Sequence, residues 1–143
     1  MKQKLLEDKI VVVTGASRGV GKGIATQLGK YGATVYVTGR TLLTSSNASS
    51  GTIDGVAEEV TAAGGKGVAV ACDHSDDDQI RALFTRVNAD HGRLDILVNS
   101  ATLIGANPLA PPPFWEKSLE IADQFNGVAI SVRGQLLRRT SVA

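Results

Sequence analysis

Cysteine is all but missing from this 143-residue chain, with Cys72 standing alone. One thiol permits no internal disulfide framework and fits a reducing compartment. Excess charge is missing too. Fifteen basic against fourteen acidic side chains leave a formal net charge of +1, so composition supplies no broad field for nucleic acid or an anionic membrane. No stretch reaches the ~18 consecutive apolar residues of a membrane span. The opening MKQKLLEDKIVVV is interrupted by Glu7, Asp8 and Lys9 before a secretory apolar segment can form. These absences lead us to expect a soluble, cytoplasmic protein without a nucleic-acid partner or a membrane span.

A chain near this length buries ~70% of its unfolded surface when it folds, enough for one domain with a core. Lys9 to Thr14 (KIVVVT) is continuously apolar and β-branched, as a parallel strand covered on both faces requires. Val20, Ile24, Leu28 and Tyr31 then recur at helical spacing, with Gly32 as a stop. A second strand is expected over Thr34 to Thr38. Ser- and Thr-rich residues 41–51 read as a loop. Ile53, Val56, Ala57 and Val60 mark one helix face ahead of Gly64 and Gly65, and a third strand follows over Gly67 to Ala71. Ser75 with Asp78 has the form of a capping box, opening a helix with the stripe Ile80, Leu83, Phe84 and Val87 and a stop at Gly92. Leu94 to Val98 reads as a fourth strand, residues 102–113 as a proline-rich loop, and Phe114 to about Ile130 as a helix. This alternation predicts an α/β fold, a doubly wound parallel sheet of the Rossmann type with right-handed crossovers. Residues 1–130 form that domain; residues 131–143 are a basic tail carrying Arg133, Arg138 and Arg139.

Three glycines, Gly15, Gly19 and Gly21, fall between the first strand and the first helix in the stretch TGASRGVG. The spacing is G-x-x-x-G-x-G rather than G-x-G-x-x-G, but the mechanics are similar. Gly15 lets the chain turn off the strand, Gly19 permits close approach to a pyrophosphate, and Gly21 lets the helix sit tightly on the sheet. A helix N-terminus adds unpaired N–H groups and roughly half a positive charge, which suits an anion. An acidic residue at the end of the second strand would favour NAD(H) by bonding the ribose hydroxyls. Thr38, Gly39 and Arg40 stand there instead, and Arg18 approaches from the glycine loop. Guanidinium groups bind a phosphate through several donors at once, so NADP(H) is expected over NAD(H).

The runs VTGASRGVGKGIA, Cys72-Asp73 and GRLDILVNSA resemble the short-chain dehydrogenases/reductases, and the similarity extends from about Lys9 to about Ile130. Within that family, VTGR and FWEKSLEIADQFNGV look most like the group called dehydrogenase/reductase family member one. The resemblance implies carbonyl reduction or alcohol oxidation of a small-molecule substrate by an NADP(H)-dependent enzyme, and a homo-oligomer as one assembly. It implies that Ser17, Arg18, Gly19 and Val20 line the pyrophosphate and adenosine. Asp73 and His74 would flank the adenine, and Asn99 with Ala101 would run beside the nicotinamide-side ribose. Asn126 matches the helix asparagine that helps hold a water and a lysine in the family's proton relay. Where the family has N-N-A-G, this chain has Asn99, Ser100, Ala101 and Thr102.

The same resemblance implies a tyrosine acting as general acid, a lysine four positions later and an upstream serine. A phenol with its usual pKa of ~10 exchanges protons poorly near neutrality unless an ammonium favours the phenolate. Tyr31 and Tyr36 are followed four residues on by Val35 and Arg40, so no Y-x-x-x-K occurs in these 143 residues. The sequence ends where the family's fifth strand would begin. The expectation is a cofactor-binding portion, inactive by itself, arising from an incomplete or alternatively spliced product. The alternatives are a non-catalytic NADP(H)-binding or dimerising module and a fragment without an independent role. With strand order 3-2-1-4, the apolar fourth strand would form an exposed edge.

Cys72 and His74 lack a third ligand for zinc, so no metal is expected and Cys72 reads as a packed small residue. Asp77 and Asp78 suit the first turn of a helix. Pro108 to Pro111 fits P-x-x-P but reads more simply as a stiff loop.

Overall fold

A computed structural model of the chain describes residues 4–42, 51–102 and 116. The expected residue 114–130 helix, Asn126, most of the proline-rich loop and the basic tail lie outside the described residues. Strands β1 (Ile10–Thr14), β2 (Thr34–Gly39), β3 (Lys66–Ala71) and β4 (Ile96–Asn99) alternate with helices α1 (Gly19–Lys30), α2 (Ile53–Ala62) and α3 (Asp77–His91). The strands form one parallel sheet in the order β3-β2-β1-β4. The chain walks outward from β1 through β2 to β3, then returns to the other side of β1 for β4. The strand order therefore reverses between β1 and β4, a switch point beside which doubly wound sheets form their ligand crevices.

All five residues of β1 are buried, because helices cover both faces of the sheet. Val11 and Val13 join Val35 and Val37 on one face, packed beneath α1 and α2 with Ala25, Ile53, Val56 and Val60. Ile10, Val12 and Tyr36 point to the other face and meet Ile80, Leu83, Phe84 and Val87 of α3. Alternation along a strand thus sends neighbouring side chains into two separate cores. Each fully buried Val or Leu contributes about 1.5–3 kcal/mol. Tyr36 adds a polar tie, its hydroxyl donating to Asp90 Oδ2 at 2.7 Å.

Three local features depart from the sequence expectations. Val20 and Tyr31 are not on the buried stripe of α1; they are 74% and 45% exposed. The buried positions are Gly21, Ala25 and Gly29, an i, i+4, i+8 row of small residues that brings the helix backbone close to its neighbours. Helix α3 is capped by Asp76, not Ser75: its carboxylate accepts the N–H groups of Asp78 and Gln79. Ser75 instead donates its N–H and its hydroxyl to Asp73 Oδ1. Strand β4 begins at Ile96, because Asp95 turns its carboxylate to the start of β1, where Oδ2 accepts the Ile10 N–H at 2.8 Å. Lys9 and Arg93 pair with that carboxylate. With the Ile10 N–H as the largest contribution, they hold Asp95 below the usual carboxylate range.

A Cβ at Gly29 would lie 2.8 Å from the Val60 carbonyl oxygen and 2.9 Å from its Cγ1, where α1 crosses α2, while one at Gly23 would meet open space. Both gain helix propensity on conversion to alanine, by about 1 kcal/mol. We expect Gly23→Ala to stabilise the fold by up to about 1 kcal/mol and Gly29→Ala to destabilise it by about 1–3 kcal/mol through overpacking, as read by urea midpoints.

Candidate functional site

A cleft of about 560 Å³ opens at the carboxyl ends of the strands, within the size range of small-molecule sites. Each strand end contributes to its wall. From β1 and the start of α1 come Gly15 and Ser17 to Gly21; from β2, Gly39, Arg40 and Thr41; from β3, Cys72, Asp73 and His74; from β4, Ser100, Ala101 and Thr102. Of the nucleotide-binding candidates, only Asn99 is not on the lining. It ends β4 level with Thr14 of β1, and the chain reaches the cleft one residue later.

The glycine loop is held by its surroundings on three sides. Gly15 has φ +62°, and a Cβ there would sit 2.6 Å from Ala101 Cα and 2.9 Å from the Ser100 carbonyl oxygen. Glycine is needed both for the left-handed turn and for the approach of the segment after β4. That segment is anchored by Thr14, whose Oγ1 accepts the N–H groups of Ser100 and Ala101, each at 3.0 Å. On the β2 side, the Ala16 N–H donates to the Thr38 carbonyl at 2.9 Å. Ser17 lines the cleft yet is only 8% exposed, and its carbonyl is met closely by Gly51. Gly21 faces inward, and a Cβ there would collide with the Gly15 carbonyl oxygen. Gly19 differs from both: its φ is +57°, but nothing lies within 4 Å of where its Cβ would be. Its conformation needs glycine, and the space before it is open to a ligand.

The helix termini divide sharply in chemistry. Helix α2 is capped by the Thr52 side chain, which accepts the Gly55 N–H, and Asp54 sits in its first turn. Helix α3 has the Asp76 cap with Asp77 and Asp78 behind it. Helix α1, whose N-terminus opens on the cleft, has Arg18 at its N-cap with no side-chain cap bond and no acid in its first turn. Its first-turn N–H groups, which a helix leaves without internal acceptors, are directed where an anion can take them. The residues present therefore fit a diphosphate.

Arg18 and Arg40 stand exposed at the rim of the same cleft. Arg40 Nη1 lies 3.9 Å from Asp73 Oδ2, an open pair with side-chain exposures of 64% and 35%. Ser75, donating through hydroxyl and backbone, is the main reason the Asp73 carboxyl lies below its ordinary range; Arg40 contributes less. Asp73 thus stays ionised largely through its own turn. Such exposed ion pairs contribute little, roughly 0–1 kcal/mol, so Arg40 can turn to a ligand at small cost.

Beneath this rim lies a buried polar chain that the sequence did not disclose. His74 is 5% exposed; its Nε2 is 2.8 Å from Thr38 Oγ1 and its Nδ1 is 3.8 Å from Cys72 Sγ. Thr38 Oγ1 also lies 3.2 Å from the Val13 carbonyl oxygen. A threonine hydroxyl has one proton to give. All three contacts are satisfied together only when Thr38 donates to Val13, His74 Nε2–H donates to Thr38, and the Cys72 thiol donates to Nδ1. Burial agrees with both neutral states, lowering the His74 pKa to about 4 and raising that of Cys72 to about 11. Among the described residues, no three His, Cys, Asp or Glu side chains are grouped to hold a metal ion. Thr14 and Thr38 were missed as site residues; the available signal was that IVVVT and TVYVT each end a buried strand on a hydroxyl that needs a partner.

In the folded chain His74 stays neutral down to about pH 4, whereas an ordinary histidine takes up its proton near 6.5. The unfolded state therefore binds more protons between those values, and stability falls with pH across that window by on the order of 3 kcal/mol. The lowered carboxyls of Asp73, Asp76 and Asp95 act only below it, near and under the ordinary carboxylate range. Urea unfolding from pH 7 to 4 should show this loss in the native chain and a smaller one in His74→Gln.

The chain is 42% identical over 131 residues to human "Dehydrogenase/reductase SDR family member 1", covering 87% of this chain and 38% of that protein. It is 39% identical over 101 residues to a "3beta-hydroxysteroid dehydrogenase" of Mediterraneibacter gnavus, covering 71% of this chain and 34% of that protein. It thus spans well under half the length of these curated relatives. Among solved structures, a metagenomic short-chain oxidoreductase in complex with NADP is similar at a TM-score of 0.72 and 36% identity, over 95% of this chain and 56% of that one. The family model described as short chain dehydrogenase matches residues 9–129. A match that runs through every described strand and helix makes this chain a member of the short-chain dehydrogenase family.

Proposed function

We propose that this chain is the nucleotide-binding part of an NADP(H)-dependent oxidoreductase that interconverts small-molecule carbonyls and alcohols. The observation that carries the reading is the N-terminus of α1: alone among the three described helices it lacks both a side-chain cap and a first-turn acid, and it opens on the cleft behind open space at Gly19. The N–H groups of that turn hold the diphosphate. Arg18, from the glycine loop, and Arg40, from the end of β2, take the 2′-phosphate that distinguishes NADP(H), and the end of β2 carries no acid to repel it. Asp73 lies beside the adenine. Ser100 and Ala101, fixed to Thr14, and Asn99 before them run along the nicotinamide-side ribose. The NADP complex of a similar structure supports the choice of nucleotide.

A bound nicotinamide would supply the hydride for carbonyl reduction and accept it in alcohol oxidation; this chain's described residues bind and orient the nucleotide. The proton that must accompany hydride transfer has no Y-x-x-x-K donor within these 143 residues. Within the chain, Asn126 is the one residue assigned to the proton relay, and it cannot replace the missing acid. A positioned acid or base contributes about 100- to 10,000-fold, so this chain by itself binds NADP(H) with negligible carbonyl reduction.

Fluorescence titration of the 143-residue chain should show NADPH binding more tightly than NADH. Arg40→Ala and Arg18→Ala should each weaken NADPH by roughly 10- to 100-fold, the loss of one charge-assisted contact, while leaving NADH nearly unchanged. Gly19→Val, which fills the open space and strains the turn, should abolish both. Equal affinity of the native chain for the two nucleotides would contradict the assignment to NADP(H).

A further inference from the structure

The buried chain Cys72–His74–Thr38–Val13 joins the carboxyl ends of three strands at one level. Val13 belongs to β1, just ahead of the glycine loop; Thr38 belongs to β2, two residues before Arg40; His74 follows Asp73, which pairs with Arg40. The backbone ties the same levels together, with the Cys72 N–H donating to the Gly39 carbonyl and the Ala16 N–H to the Thr38 carbonyl. Beyond Ala71 the β2–β3 ladder has ended, and the bond from His74 back to Thr38, whose register partner is Val70, is the side-chain link that ties the segment after β3 to the end of β2. Both nitrogens of the imidazole face protein atoms, and the ring is 5% exposed. It has no free nitrogen to offer a nucleotide.

Resting on the nucleotide reading above, we propose that His74 is a positioning residue of this site: by donating Nε2–H to Thr38 it sets the separation of the β2 and β3 ends and so places Arg40 and Asp73 for the adenosine phosphate. The imidazole acts through Thr38, not by touching the ligand. Its loss loosens the rim at the adenosine end, whereas the diphosphate loop keeps its own anchors at Thr14 and at the Thr38 backbone carbonyl. The effect therefore falls on discrimination between NADPH and NADH rather than on dinucleotide binding as such. A residue that served only to fill the core would weaken both nucleotides together.

The 143-residue chain is titrated with NADPH and NADH, with thermal melts alongside, for the native sequence, His74→Leu, His74→Gln, Thr38→Val and Thr38→Ser. His74→Leu and Thr38→Val should each raise the NADPH dissociation constant about tenfold and change that of NADH less than about threefold, and the double variant should lose no more than either single one. His74→Gln, whose amide N–H can still donate to Thr38, and Thr38→Ser, which keeps the hydroxyl, should restore most of the native preference. If His74→Leu does not fold, the contrast between Thr38→Val and Thr38→Ser decides the matter. A native preference that survives loss of either partner, or an equal weakening of both nucleotides, overturns the proposal while leaving the site reading intact. A native chain that binds neither nucleotide overturns both.

Discussion

Strand β1 is enclosed on every side, by α1 and α2 above, by α3 below, and by β2 and β4 in the sheet. None of its five residues can relax toward solvent, so where it ends is fixed by the packing of everything around it. It ends on Thr14, whose hydroxyl accepts two N–H groups from the segment after β4. Gly15 then turns the chain so closely against that segment that no side chain could be added. The position of the glycine turn is thus inherited from the two hydrophobic cores. A site built on the ends of rigid strands holds its geometry before a ligand arrives, which reduces the ordering cost of binding.

Polar groups near the cleft follow two regimes. At the rim, Arg18 and Arg40 are exposed, and Arg40 makes only an open pair with Asp73, whose carboxylate is held by Ser75. Below it, Thr38, His74 and Cys72 are buried and committed to one another. Buried polar groups are tolerated only when satisfied, and among the described residues no buried side-chain nitrogen or oxygen lacks a partner. Adjacent residues fall into opposite regimes: Asp73 faces outward to Arg40 and Ser75, while His74 turns inward to Thr38.

The four strands and the buried faces of α2 and α3 were legible in the sequence because they rest on periodicity, whereas the strand order came with the family resemblance. Ile53, Val56, Ala57 and Val60 on α2, and Ile80, Leu83, Phe84 and Val87 on α3, are buried as their spacing requires. Helix α1 misled because large apolar residues were counted and small ones were not; Gly21, Ala25 and Gly29 carry its contact by being small. The cap of α3 fell one residue later than expected, since serine and aspartate are both good caps and only the surrounding turn decides between them. The glycine loop announced itself through composition. The Thr38–His74 bond could not, because it joins residues 36 positions apart whose meeting depends on the register of β2 and β3. No local pattern encodes such a meeting.

Asp95, Lys9 and Arg93 gather at the amino end of the sheet, the pole opposite the cleft, and fasten β4 to the first residue of β1. The Asp95 clasp holds β4 at its start, and Thr14 holds the segment after β4 at its end, so the same strand is pinned at both poles by different residues.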